Sequence, residues 1–140
     1  MAVDQELQQR REQVILEHMR SENEQRFDDT IATFAHPRYE LMATGDVFDG
    51  EEQVRRYFAT SRADFPDQRN ENSVLRSTDD GVVAEFDLLG THSAVGTSFR
   101  SRMVALFLFE EGGDGIVCER VYFDTESIRR QILGEPNSGS

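Results

Sequence analysis

The chain has 140 residues, of which 27 are acidic against 15 basic, for a formal net charge of −12. That length suits one domain with one sizeable core, and the negative surplus disfavours nucleic acid and anionic lipid as partners. Cys118 is the single cysteine, which excludes an intrachain disulfide framework and a thiolate cluster for structural zinc.

The start, MAVDQELQQRREQ, has neither the basic opening nor the apolar stretch of a signal peptide. No apolar run approaches the roughly 20 residues of a membrane helix, so a cytoplasmic protein without a membrane partner is expected. Leu7, Val14, Ile15 and Met19 fall near one face of a charged helix. Ser21 with Glu24 has the pattern of a capping box that starts a second helix, continued by Phe27, Ile31 and Phe34 and stopped near His36 by Pro37. The stretch RYELMATGDVF predicts two short strands around Gly45 and Asp46. Asp49 with Glu52 resembles another capping box, and Val54, Tyr57, Phe58 and Ser61 form one face of the helix that Pro66 ends.

The remainder reads as β: strands over 70–77, 82–92, 99–110 and 116–124, with turns at Asp79, Asp80 and Gly81 and at EGGDG. Sequential, turn-linked strands are mostly antiparallel. A short helical segment over 125–133 packs Ile128 and Ile132 on the sheet, so one domain spans 1–133 and GEPNSGS, 134–140, is a disordered tail. Helices gathered early and strands gathered late give an α+β domain, with helices covering one face of a curved antiparallel sheet whose hollow suits a small molecule.

Alternation places Val82, Ala84, Phe86, Leu88, Gly90 and His92 on one face of their strand. In 99–110 both faces are apolar, Met103, Ala105, Phe107 and Phe109 against Val104, Leu106 and Leu108, as in a strand covered twice, with a second subunit as the second cover. In 116–124, Cys118, Arg120, Tyr122 and Asp124 share a face, opposite Val117, Glu119, Val121 and Phe123.

The pieces TFAHPRYE with ATGDVFDG, VRRYFATSRADFPD, LLGTH and VCERVYFDTESIRRQIL resemble, in order and spacing, the SnoaL-like polyketide cyclases and ester cyclases of the nuclear transport factor two-like superfamily. The resemblance covers most of the chain after the first helix. It implies a cone-shaped α+β fold, commonly a homodimer, with a pocket for a small apolar organic ligand and no metal or redox cofactor. It also implies that Asp124, near the end of the last long strand, is a general acid/base in an aldol closure, and that the histidine of LLGTH, His92, is a polar group of the pocket. SAVGTSFR departs from the longer glycine- and proline-rich loop of those relatives, which changes the pocket entrance.

The expected function is therefore a cofactor-independent acid/base enzyme, of cyclase or isomerase type, on a small apolar carbonyl compound, with Asp124 and His92 as catalytic pair. Tyr57, Phe58, Phe86, Phe107, Tyr122 and Arg120 are the candidate substrate-binding residues, and Tyr57 or Tyr122 would steady a developing enolate. Asp124 also stands where a cap of the following helical turn would stand, and the two roles are compatible. The alternatives are a non-catalytic ligand-binding or dimerisation module, with Phe58, Phe86 and Phe107 closing the hollow, and, ranked lower, an epoxide hydrolase using Arg120 beside two aspartates. His36 reads as structural, His18 as a surface residue of the first helix, and Glu22, Glu24, Asp28 and Asp29 as a solvated or capping set.

Overall fold

A computed structural model describes residues 4–135. Asp4 caps the first helix, α1 (Gln5–Asn23), by accepting from the Leu7 amide at 2.8 Å, which satisfies one of the donors that a helix start leaves unpaired. Its buried residues include Leu7, Arg11, Ile15, His18 and Met19, spaced by three and four so that one stripe faces inward. The helix runs through Ser21 instead of restarting there. The Ser21 hydroxyl is buried, donating to the His18 carbonyl and sharing a hydrogen bond with Thr30, so it is not available as a cap. The break falls at Gln25, whose φ of 55° reverses the chain, and α2 (Phe27–Ala32) begins without a side-chain cap.

Two short strands follow, β1 (Arg38–Leu41) and β2 (Asp46–Asp49), paired antiparallel around a turn in which Gly45 adopts φ 81°, a conformation that a side chain would strain. The next helix, α3 (Glu51–Asp64), starts from Gly50 with no side-chain cap. Asp49 does not cap it, because its carboxylate is taken by His36 at 2.9 Å and Arg38 at 3.1 Å.

The chain then forms β3 (Arg69–Ser77), β4 (Gly81–Thr91), β5 (Ser98–Phe109) and β6 (Ile116–Tyr122), and closes with α4 (Thr125–Leu133). The six strands make one curved, unclosed sheet in the order β2-β1-β6-β5-β4-β3, so the α+β expectation holds. All neighbours are antiparallel except β1 and β6, which run parallel. This brings Tyr39 of β1 and Phe107 of β5 to either side of Glu119 on β6.

The two faces of the sheet differ. Phe86, Met103, Phe107, Glu119 and Val121 are buried, and most of them join Ile15, Met19, Val54 and Phe58 in the core. Val104, Leu106, Arg120 and Tyr122 occupy the opposite parity of the same strands; the first three are half-buried and Tyr122 is exposed. Gly134, at φ 72°, ends α4 in the left-handed conformation favoured after a helix. Residues 136–140, most of the expected tail, lie outside the described residues. No helix among the described residues is long and apolar enough to cross a membrane.

Candidate active site

Between the concave face of the sheet and α1, α3 and α4 lies a cavity of about 510 Å³, within the size range of small-molecule sites. Its wall is largely apolar, with Met19, Phe86, Phe99, Met103, Phe107 and Val121 among the lining residues. Three carboxylates interrupt this lining: Asp64 from α3, which is exposed, and Glu22 from α1 and Glu119 from β6, which lie deeper. Behind the deeper two stands His18, with no exposed surface, its Nε2 2.9 Å from Glu119 Oε1 and 3.3 Å from Glu22 Oε1.

Hydrogen bonding fixes the protons of this cluster. The Thr33 hydroxyl donates to the Thr30 carbonyl at 2.6 Å, so toward His18 Nδ1, at 2.9 Å, it accepts, and Nδ1 carries a proton. Burial opposes a charged imidazole, but the field of Glu22 and hydrogen bonds to Glu119 and Glu22 outweigh it and raise His18 to about 10. His18 is then an imidazolium at neutral pH, donating Nε2–H to Glu119.

The two carboxylates respond in opposite directions. Burial pushes Glu22 up, yet the His18 charge and hydrogen bond prevail and hold it below the usual carboxylate value, helped by the field of Arg62 and by Tyr39 Oη, which donates to Glu22 Oε2 at 3.2 Å. Burial and the negative field of Glu22 push Glu119 up, against the hydrogen bond from His18. Glu119 is thus the carboxyl of the pair whose proton affinity is raised, the kind of perturbation that marks acid/base sites. It is 5% exposed and on the cavity wall.

Tyr57 lines the same cavity, and burial with the fields of Glu119 and Glu22 holds its phenol well above the usual value, so it stays a neutral donor. Its ring stacks on Phe48 at 4.7 Å, which fixes the phenol against the cavity. One donor atom each from His18, Glu22 and Glu119 lie within 4.8 Å of one another, a grouping a divalent cation could use. Their mutual hydrogen bonds already account for the arrangement.

The model of the SnoaL-like domain family matches residues 15–117. The chain belongs to the SnoaL-like domain family. No curated protein sequence matches it. Solved structures agree on the SnoaL-like fold at low identity. A Catenulispora acidiphila protein with a ketosteroid isomerase-like fold, in complex with trimethylamine, superposes with a TM-score of 0.78 at 20% identity over 88% of this chain and 93% of its own. A provisionally named polyketide cyclase of Xanthomonas campestris gives 0.80 at 16% over 89% and 98%, and a phenazine biosynthesis-related protein of Pseudomonas aeruginosa 0.76 at 17% over 94% and 90%.

Within this SnoaL-like domain the residues expected from sequence divide. His92, Tyr57, Phe86 and Phe107 line the cavity, and Phe86 and Phe107 leave it open. His92 follows β4, its ring edge-on to Phe65 at 5.2 Å, and its Nδ1 accepts from the Ala94 amide at 3.1 Å. Phe58 is packed beneath the wall, stacked on Phe27 at 4.6 Å, and does not line the cavity. Arg120 and Tyr122 lie on the other face of the sheet, where Arg120 donates to Glu40 Oε1 at 2.9 Å and Tyr122 is 43% exposed. Asp124 is an exposed residue outside the cavity lining, and it caps α4 by accepting from the Ser127 amide at 3.0 Å. His92 and Tyr57 thus both line the cavity, and Asp124 does not.

Spacing alone assigns His18 to the surface and Glu22 to a solvated set, and both assignments are corrected. His18 is fully buried and the Glu22 side chain is 15% exposed. The available signal was helical: Ile15, His18, Met19 and Glu22 recur at three- and four-residue spacing on the face that carries the core.

Proposed function

We propose that the chain is a cofactor-independent acid/base enzyme of cyclase or isomerase type, acting on a small apolar carbonyl compound. The observation that carries this reading is Glu119, a buried carboxyl of raised proton affinity on the wall of an otherwise apolar cavity. In its ionised form Glu119 removes a proton from carbon next to the substrate carbonyl. The electrons move onto the carbonyl oxygen, and the Tyr57 hydroxyl donates to that oxyanion. Glu119 then returns the proton at the same or another carbon, or the enolate carbon attacks a second carbonyl and closes a ring, the new alkoxide taking the proton back from Glu119. His18 touches no substrate. It positions Glu119 and limits how far its proton affinity climbs.

We also infer a homodimer formed through the sheet face opposite the cavity, around Leu106. The epoxide-hydrolase alternative loses support because Arg120 is held by Glu40 outside the cavity.

The test is solvent exchange. In heavy water, NMR should show the protein accelerating deuterium uptake next to the carbonyl of 1-tetralone or a related cyclic ketone. Glu119→Gln, which is nearly isosteric, should reduce that rate at least about 100-fold, the scale of general acid–base catalysis. An equal rate in the variant would leave the cavity as a ligand-binding module.

A further inference from the structure

A network of ion pairs covers most of the chain, and two arginines stand outside it. Among the described residues, every arginine except Arg11 and Arg62 has a carboxylate within ion-pairing distance. Arg11 is saturated in another way, by the carbonyls of Gly113, Asp79 and Glu110. Arg62 has neither arrangement. It projects from α3 onto the cavity wall, Nη1 donating to the Ser61 hydroxyl at 2.9 Å and the guanidinium lying 5.3 Å from the Phe27 ring centroid. Its Nε is buried with no acceptor, the single such side-chain atom among the described residues.

Burying a cationic N–H without an acceptor is costly, and folded proteins rarely leave such a donor unmatched unless something else meets it. The surroundings say what that is. The field of Arg62 reaches Glu22, which His18 already engages, and none of the carboxylates of the lining, Glu22, Asp64 and Glu119, lies within ion-pairing distance of the guanidinium. Two other arginines reach the lining, but Arg69 pairs with Glu71 at 2.9 Å and Arg129 with Glu126 at 2.8 Å. A guanidinium edge offers two parallel donors, the geometry that a carboxylate accepts.

We propose that the molecule bound in this cavity is a small apolar carboxylic acid whose carboxylate is held by Arg62, with its apolar body directed toward Phe86, Met103 and Phe107. This rests on the proposed function and narrows it: the carbonyl substrate carries an acid group, anchored on α3 and reacting at Glu119. Anchoring a remote group in this way contributes binding energy that orients the reacting carbon.

The test compares acids with their uncharged amides. Benzoate, cyclohexanecarboxylate and 1-naphthoate, each with its matched primary amide, are titrated into the full chain by calorimetry at neutral pH. At least one acid should bind about tenfold or more tightly than its amide, the scale of a charge-assisted pair. That preference should vanish in Arg62→Gln and shrink in Arg62→Lys, which keeps the charge but loses the fork. The wild-type comparison stands even if a variant fails to fold. A panel in which no acid outbinds its amide overturns the proposal, and so does a preference that survives Arg62→Gln. Glu119→Gln should keep the acid preference while losing proton exchange, so failure of the acid/base chemistry and failure of the carboxylate anchor give different results.

Discussion

His18 holds a charge inside the protein because two carboxylates face it, and this makes the cluster a pH-dependent part of the fold. A group whose proton affinity is raised on folding contributes stability that is complete below its unfolded value and lost as pH climbs to its folded one. For His18 that window runs from 6.5 to about 10. Glu119, also raised, has the same sign, its contribution waning on the alkaline side of its ordinary value. Glu22 has the opposite sign: its lowered affinity stabilises the fold at neutral pH and is lost on acidification. Denaturant unfolding should therefore show stability falling by an amount on the order of 1 kcal/mol or more between pH 7 and 9. Most of that slope should be absent in His18→Gln, and an unchanged slope would mean that His18 is neutral. The same variant removes the hydrogen bond that restrains Glu119, so the pH at which exchange reaches its plateau should move upward.

At the level of elements, α4 separates two roles that one aspartate could serve. Asp124 accepts from the Ser127 amide at the start of this helix, so Asp124→Ala should cost about 1 kcal/mol in an unfolding titration, the usual value of an N-cap. Asparagine caps as well as aspartate does. Asp124→Asn should therefore preserve both stability and proton exchange, whereas a loss of exchange with stability intact would return the acid/base role to Asp124. The strand that precedes it shows how far a sequence reaches. Alternation correctly opposes Glu119 to Arg120 and Tyr122, because side-chain parity is a local property of extended backbone. Which parity faces the cavity is decided by pairing: β1 lies parallel to β6 and sets Tyr39 beside Glu119, a contact between residues 80 positions apart. Helix starts were less legible still, since Ser21 and Asp49 are drawn into long-range hydrogen bonds that outcompete local capping.

For the molecule as a whole, the sheet has one face buried under helices and an opposite face that is only partly buried. Across β6 and β5 that second face runs from Tyr122 beside Val104, through Arg120 beside Leu106, to Cys118 beside Leu108. Ion pairs of both signs stand on it, Arg100 with Asp87 at 2.6 Å and, beside Leu106, Arg120 with Glu40 at 2.9 Å. Apolar side chains interleaved with paired charges of both signs suit contact with a second copy of the same face. Each copy carries a formal charge of −12, so association works against repulsion and should strengthen with added salt, unlike a contact held by ion pairs. Sedimentation velocity should show a dimer whose dissociation constant falls on raising the salt concentration. Leu106→Asp, which sets a charge at the centre of the face without touching the core or the cavity, should yield a folded monomer whose unfolding midpoint no longer depends on protein concentration. A wild-type chain that sediments as a monomer at all salt concentrations would leave this face open to solvent.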